Sequence, residues 1–127
     1  MNQQFGKSYK LCSKKKIDET YQNGVQIKSF PFYAKYRLDA STKNLFQIVF
    51  VVPKKKFRLA TTRNKIRRYI REAIRREKQV LENALEVKRL KINVFLLYSG
   101  EAELNLPDTQ NAMRKLIKKI THEIENH

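Results

Sequence analysis

The chain has 127 residues, with 28 Lys and Arg against 12 Asp and Glu, a formal charge of +16 and a single cysteine, Cys12. That length suits one domain, residues 1–127, whose core can fold without metal or disulfide, and one cysteine permits no internal bridge. The charge is far beyond what solubility needs and asks for a polyanion, while the apolar runs at 48–53 and 94–98 are too short to span a bilayer and no signal-peptide core opens the chain. A cytoplasmic protein that meets nucleic acid is therefore expected.

Residues 1–9 are polar and basic, with Phe5 and Tyr9 interleaved, and are expected to form a flexible arm. Ser13 can cap a short helix that places Ile17 and Tyr21 on one face, and Gly24 is expected to end it in the left-handed conformation. Between Gln26 and Leu38 the alternation of a strand puts Phe30, Phe32, Ala34 and Tyr36 on a core face and Tyr33 and Lys35 on the other. Pro31 cannot donate to a ladder, so this segment reads as an edge. An aromatic beside a cation on an open sheet face suits stacking on unpaired bases. Residues 39–44 read as a loop, and Leu45 to Val52 is apolar almost throughout, as a central strand would be.

After Pro53 the chain enters its most basic stretch. Ile66, Tyr69, Ile70, Ala73, Ile74, Val80, Leu81, Ala84 and Leu85 recur at helical spacing and predict a buried face. Asn64, Arg67, Arg68, Arg71, Arg75 and Lys78 fall on the opposite side, a polar and almost wholly cationic stripe. Thr61 or Thr62 is the expected N-cap. Arg63, Lys65, Arg67 and Arg68 then oppose the positive end of the helix dipole, at about 0.3–1 kcal/mol each at low salt. No acid between Asp39 and Glu72 relieves them. A bound anion would reverse the sign of that cost, because helix N-terminal amides and guanidinium groups converge on it.

Leu90 to Ser99 reads as a further strand, and Pro107 opens a last helix with an apolar stripe of Ala112, Met113, Leu116, Ile117, Ile120 and Ile124. The predicted architecture is an α/β (α+β) sandwich. Its sheet of about four strands is packed on one face by two long helices, with the short first helix on the other face and a groove between that helix and the sheet. Catalytic chemistry has no visible home in this pattern. His122 and His127 lie at the C-terminus, Asp18-Glu19 and the Glu101 and Glu103 pair sit where polar surface is expected, and three glycines make no phosphate loop. No catalytic residue and no metal ligand are expected from this chain.

The run Lys54-Lys55-Lys56, Ala60, Arg63-Asn64-Lys65, Arg67-Arg68 and Arg71-Glu72 resembles the signature of the bacterial ribonuclease P protein component. Lys10-Leu11, Ile17, Tyr21, Gly24 and Phe32 are similar to that family's first helix and strand at matching spacing, so the likeness covers residues 9–122. The chain departs from the family at Arg58-Leu59-Ala60-Thr61, where a glycine is usual, and at Ile17 and Lys35, where aromatics are common. The resemblance implies a fold like the second domain of ribosomal protein S5. It implies a subunit that binds a catalytic RNA and the 5′ leader of precursor tRNA, assisting endonucleolytic removal of the leader, with Mg2+ held mainly by the RNA subunit and substrate; no obligate protein partner is evident. Lys54, Lys55, Lys56, Arg63, Asn64, Lys65, Arg67, Arg68, Arg71 and Arg75 would then contact the catalytic RNA, and Ile17, Tyr21, Tyr33 and Lys35 would line the leader's path. The alternative is a structural RNA-binding protein of ribosomal type.

Overall fold

A computed structural model describes residues 9–127, and residues 1–8, most of the expected arm, lie outside the described residues. Helix α1, Lys14–Asn23, starts at Ser13, whose hydroxyl accepts from the Lys16 amide at 3.3 Å. Gly24 ends it in an extended conformation, φ −74°, and not in the expected left-handed one. What calls for glycine there is space, since a Cβ would stand 2.3 Å from the Thr20 carbonyl oxygen. Strands β1, Val25–Ser29, and β2, Phe32–Leu38, form an antiparallel hairpin that reverses at Phe30-Pro31. Pro31 thus sits in the turn, β1 takes the edge, and Phe30, expected in the core, is 80 % exposed.

Strand β3, Phe46–Val51, leads to helix α2, Ala60–Lys88, which returns to strand β4, Ile92–Tyr98, and helix α3, Leu106–Glu125, closes the fold. The sheet order is β1-β2-β4-β3, with β2 antiparallel and β3 parallel to β4. The interior strands are therefore β2 and β4, whereas β3 is an edge strand, against expectation. Its free side is covered by the chain just before α1. Lys10 bridges to Ile48, the Leu11 amide donates to the Ile48 carbonyl at 3.0 Å, and Leu11 is buried. An edge covered in this way can be as apolar as an interior strand.

Phe32, Ala34, Tyr36, Phe46, Ile48, Ile92, Val94, Leu96 and Tyr98 form the sheet's contribution to one core, with Ile66, Ile70, Ala73, Ile74 and Leu81 from α2 and Met113, Leu116, Ile117 and Ile120 from α3. Helix α1 lies on the opposite sheet face, where Tyr21 meets Phe95 edge-on at 5.2 Å and Arg37 pairs with Glu19 at 2.6 Å. A polar chain fixes its N-terminal half. Asp39 bonds the Ser41 hydroxyl at 2.6 Å, Lys16 at 3.2 Å and the buried Asn93 at 2.9 Å, and Asn93 accepts from the buried Thr42. The Ser41 hydroxyl, opposed by partial burial and helped by Lys16 and Asn93, holds the Asp39 carboxyl down at about 2.

Lys78 corrects the expected cationic stripe, for it is only 3 % exposed. Its ammonium lies 3.1 Å from Glu82 and 3.3 Å from the Tyr9 hydroxyl, which donates to the other Glu82 oxygen at 3.0 Å, and Tyr9 packs on Phe46. Tyr9 and Lys10 are thus parts of the packed structure and not of a free arm. Burial alone would lower the Lys78 pKa; Glu82 and Tyr9 outweigh it and raise it. Removing the carboxylate would strand a buried charge, so Glu82→Ala is expected to lose about 3–5 kcal/mol in denaturant unfolding. A loss under about 1 kcal/mol would mean that Lys78 escapes to water.

Candidate nucleic-acid interface

The lysine turn is made by burying what flanks it. Val52 and Phe57 are buried, Phe57 packs on the Tyr98 ring at 5.7 Å, and its amide closes the turn on the Pro53 carbonyl at 3.1 Å. Lys54, Lys55 and Lys56 are left exposed between them. Helix α2 then begins at Ala60 with Leu59 as N-cap and no side-chain cap, so Thr61 and Thr62 lie inside the first turn and do not cap it. Arg63 holds the entry, since its Nη1 donates to the Phe57 carbonyl at 2.8 Å and to the Arg58 carbonyl at 3.0 Å. With no acid in that turn, its open amides and the side chains above them make one positive end.

Along the stripe, Asn64 and Arg67 are without a hydrogen bond or ion pair among the described residues. Arg68 stands 5.6 Å from the Tyr69 ring and Arg71 5.8 Å from the Phe50 ring, contacts that steady the guanidinium while leaving its N–H groups open. Lys65 is weakly neutralised by Glu103 at 3.8 Å. Arg75 differs, because it and Arg76 share Glu72. The Arg75 hydrogen bond, ahead of the opposing effect of burial and the help of Arg76, holds the Glu72 carboxyl at about 2. Free positive charge therefore runs from Lys54 to Arg71 and is neutralised from Glu72 onward.

A recess of about 450 Å³ opens beside α1 on the far sheet face, lined by Tyr21, Lys28, Phe30, Tyr33, Leu97 and Ser99. Tyr21 is 51 % exposed, and the Tyr33 hydroxyl donates to Gln26 at 2.9 Å. Lys35 does not line the recess. Its ammonium donates to the Tyr21 carbonyl at 2.6 Å and sits 4.7 Å from the Tyr21 ring, bracing that ring from behind. Ile17 is half-buried on α1, also outside the lining. Phe30, Lys28 and Leu97 are lining residues that sequence reasoning missed. The turn at Pro31 was the signal for Phe30, because a proline-centred reversal takes the preceding side chain out of strand alternation. Lys56 joins the two features, its ammonium donating to the Ser99 carbonyl at 3.0 Å.

Among the described residues no group of three or more His, Cys, Asp or Glu could hold a metal ion, and no helix is long and apolar enough to cross a membrane. His122 and His127 are exposed.

The ribonuclease P family model matches residues 5–121. The chain is 29 % identical over 116 residues to the ribonuclease P protein component of Porphyromonas gingivalis, covering 90 % of this chain and 82 % of the relative. It is 31 % identical over 99 residues to that of Chlorobium phaeobacteroides, covering 73 % and 66 %. Among solved structures, the Staphylococcus aureus RNase P protein superposes with a TM-score of 0.68 at 19 % identity, covering 88 % of this chain and 94 % of that one. The Thermotoga maritima RNase P protein does so with 0.69 at 18 %, covering 87 % and 96 %. These two likenesses carry the α/β fold, and the family match spans nearly the whole sequence: the chain belongs to the ribonuclease P protein family.

Proposed function

We propose that the protein is the subunit of ribonuclease P that binds the catalytic RNA through the basic end of α2 and guides the 5′ leader of precursor tRNA along the aromatic recess. The observation that carries this reading is the adjacency of the two, an unneutralised cationic helix end tied by Lys56 to a recess walled by tyrosines. Arginine forks take phosphate bidentately and suit an irregular folded RNA, whereas exposed rings take unpaired bases without regard to sequence.

In this role the chain's own groups bind and orient. Lys54, Lys55, Lys56, Arg67, Arg68 and Arg71 place positive charge where two RNAs repel, which raises substrate affinity and lowers the magnesium demand. Arg63 meets phosphate with the guanidinium nitrogens left over from its two backbone bonds. Asn64 and Lys65 extend the same face, and Arg75 contributes only where a phosphate competes with Glu72. Magnesium in this reading belongs to the RNA subunit and the substrate. A cytoplasmic location, where tRNA is processed, completes the proposal.

Mixed with its own genome's catalytic RNA, the purified protein should cleave precursor tRNA at low magnesium and should do nothing alone. Failure to stimulate that RNA at any magnesium concentration, with copurification on ribosomal subunits at high salt, would favour the structural RNA-binding alternative. Arg67→Ala and Arg68→Ala should each weaken catalytic-RNA binding and reduce the salt slope by about one unit or less. Unchanged slopes in both would make the stripe a solvated face. Tyr33→Ala should lower affinity for precursor tRNA and spare mature tRNA; equal losses would remove the recess from the leader's path.

A further inference from the structure

Lys28 belongs to two recesses at once. On one side it lines the aromatic recess with Tyr21, Phe30 and Tyr33. On the other, with Gln26, Lys118, Lys119, His122 and Glu123, it lines a second recess of about 390 Å³ between edge strand β1 and helix α3. Among the described residues no strand lies outside β1, so no further strand separates the two. The Lys119 ammonium donates to the Lys28 carbonyl at 2.8 Å and ties α3 to that edge.

Beyond that tie, nothing within the described fold calls for the positive charge of the second recess. Lys115, Lys118 and Lys119 recur three and four residues apart, a like-charge spacing that weakens a helix. Among the described residues Lys118 has no hydrogen bond or ion pair, and Glu123 is the one carboxylate of the lining. The helix dipole does not account for the lysines, because α3 continues to Glu125 and they stand more than a turn from its negative end. An external polyanion accounts for them, and the shared Lys28 says which one.

We propose that a single-stranded RNA segment held in the aromatic recess continues past Lys28, over the edge of β1, and lays its phosphates against Lys118 and Lys119 of α3. This rests on the reading of the aromatic recess as the leader's path. Lys56 closes the recess at Ser99, on the side where α2 meets the catalytic RNA, so the cleavable end of the leader lies there and its distal 5′ end leaves over Lys28. The α3 lysines are then a binding site for the outer part of long leaders.

The test uses the reconstituted holoenzyme and two precursor tRNAs with leaders of about 4 and about 12 nucleotides, which bracket the usual span of a single-strand site. Lys118→Ala/Lys119→Ala should bind the long-leader precursor about three- to tenfold more weakly, with a shallower salt dependence, and leave the short-leader precursor unchanged. Lys118→Ala, which keeps the tie from Lys119 to Lys28, should show part of the same loss. No loss with the long leader, or an equal loss with both leaders, overturns the proposal, the second result assigning the lysines to the catalytic RNA or the tRNA body. A loss confined to the double variant, accompanied by a lowered melting temperature, also overturns it by pointing to a displaced β1. If Tyr33→Ala discriminates precursor from mature tRNA while the lysine variants do not distinguish leader lengths, the path ends at the first recess and the proposed function stands; if neither responds, that reading falls too.

Discussion

One-sided burial is the constraint from which the rest of the structure follows. The sheet offers a single apolar face to α2 and α3, and a helix of 29 residues laid on it can hide only the stripe that contains Ile66, Ile70, Ala73, Ile74, Leu81 and Leu85. Its other side is left toward water, except where Tyr9 and Glu82 enclose Lys78. In most proteins such a side mixes both signs, because alternating charges support one another across a turn. Here the first twelve residues carry no charge but cations, at the end where the dipole already repels them.

Carboxylates decide which of those cations are available. Glu72 draws in Arg75 and Arg76, Glu77 takes Arg114 from α3 at 3.1 Å, and Glu82 holds Lys78 inside the fold. Each is placed on α2 after its twelfth residue, and together they convert the rest of the helix into ordinary packing surface. Before Glu72 only Glu103 approaches, and at 3.8 Å it barely screens Lys65. The boundary of the basic surface is thus drawn by the acids more than by the bases. A pair such as Arg71 and Arg75, one turn apart and identical in type, falls on opposite sides of it.

Periodicity in the sequence located the three helices of the described residues, the cationic face of α2 and most of its buried one, Val80 alone of the expected apolar stripe being left open at 52 % exposure, because all of these are local properties of spacing. What it could not carry was the pairing between distant segments. Lys78 reads as part of the stripe until Tyr9, 69 residues away, is seen to close over it. The apolar run in β3 reads as central until Leu11 is found covering its edge. Phe30 reads as core because alternation was carried through Pro31, where the chain in fact reverses. Ile17 and Lys35 were placed along the leader's path by family likeness, and neither side chain lines the recess.

Lys35 nevertheless bears on the recess. An aromatic at that position would offer a ring to the open face; the lysine instead fixes Tyr21 by bonding its carbonyl and covering its ring, while Phe95 meets the same ring from the sheet. Tyr33, two residues earlier and on the same face, adds a half-buried ring to the recess beside the exposed rings of Tyr21 and Phe30, its hydroxyl held by Gln26. A stacking ring is most useful when its orientation is settled before the base arrives, since the ordering cost is then met in folding and not in binding. The clamp of Asp39 on Lys16 and Asn93 serves the same end from the other side of α1, fixing the helix that carries Tyr21 to the sheet that carries Tyr33. Preorganisation of two rings can thus be kept while the identity of one neighbour changes from aromatic to cation, and the charge brought by Lys35 acts behind the surface it shapes.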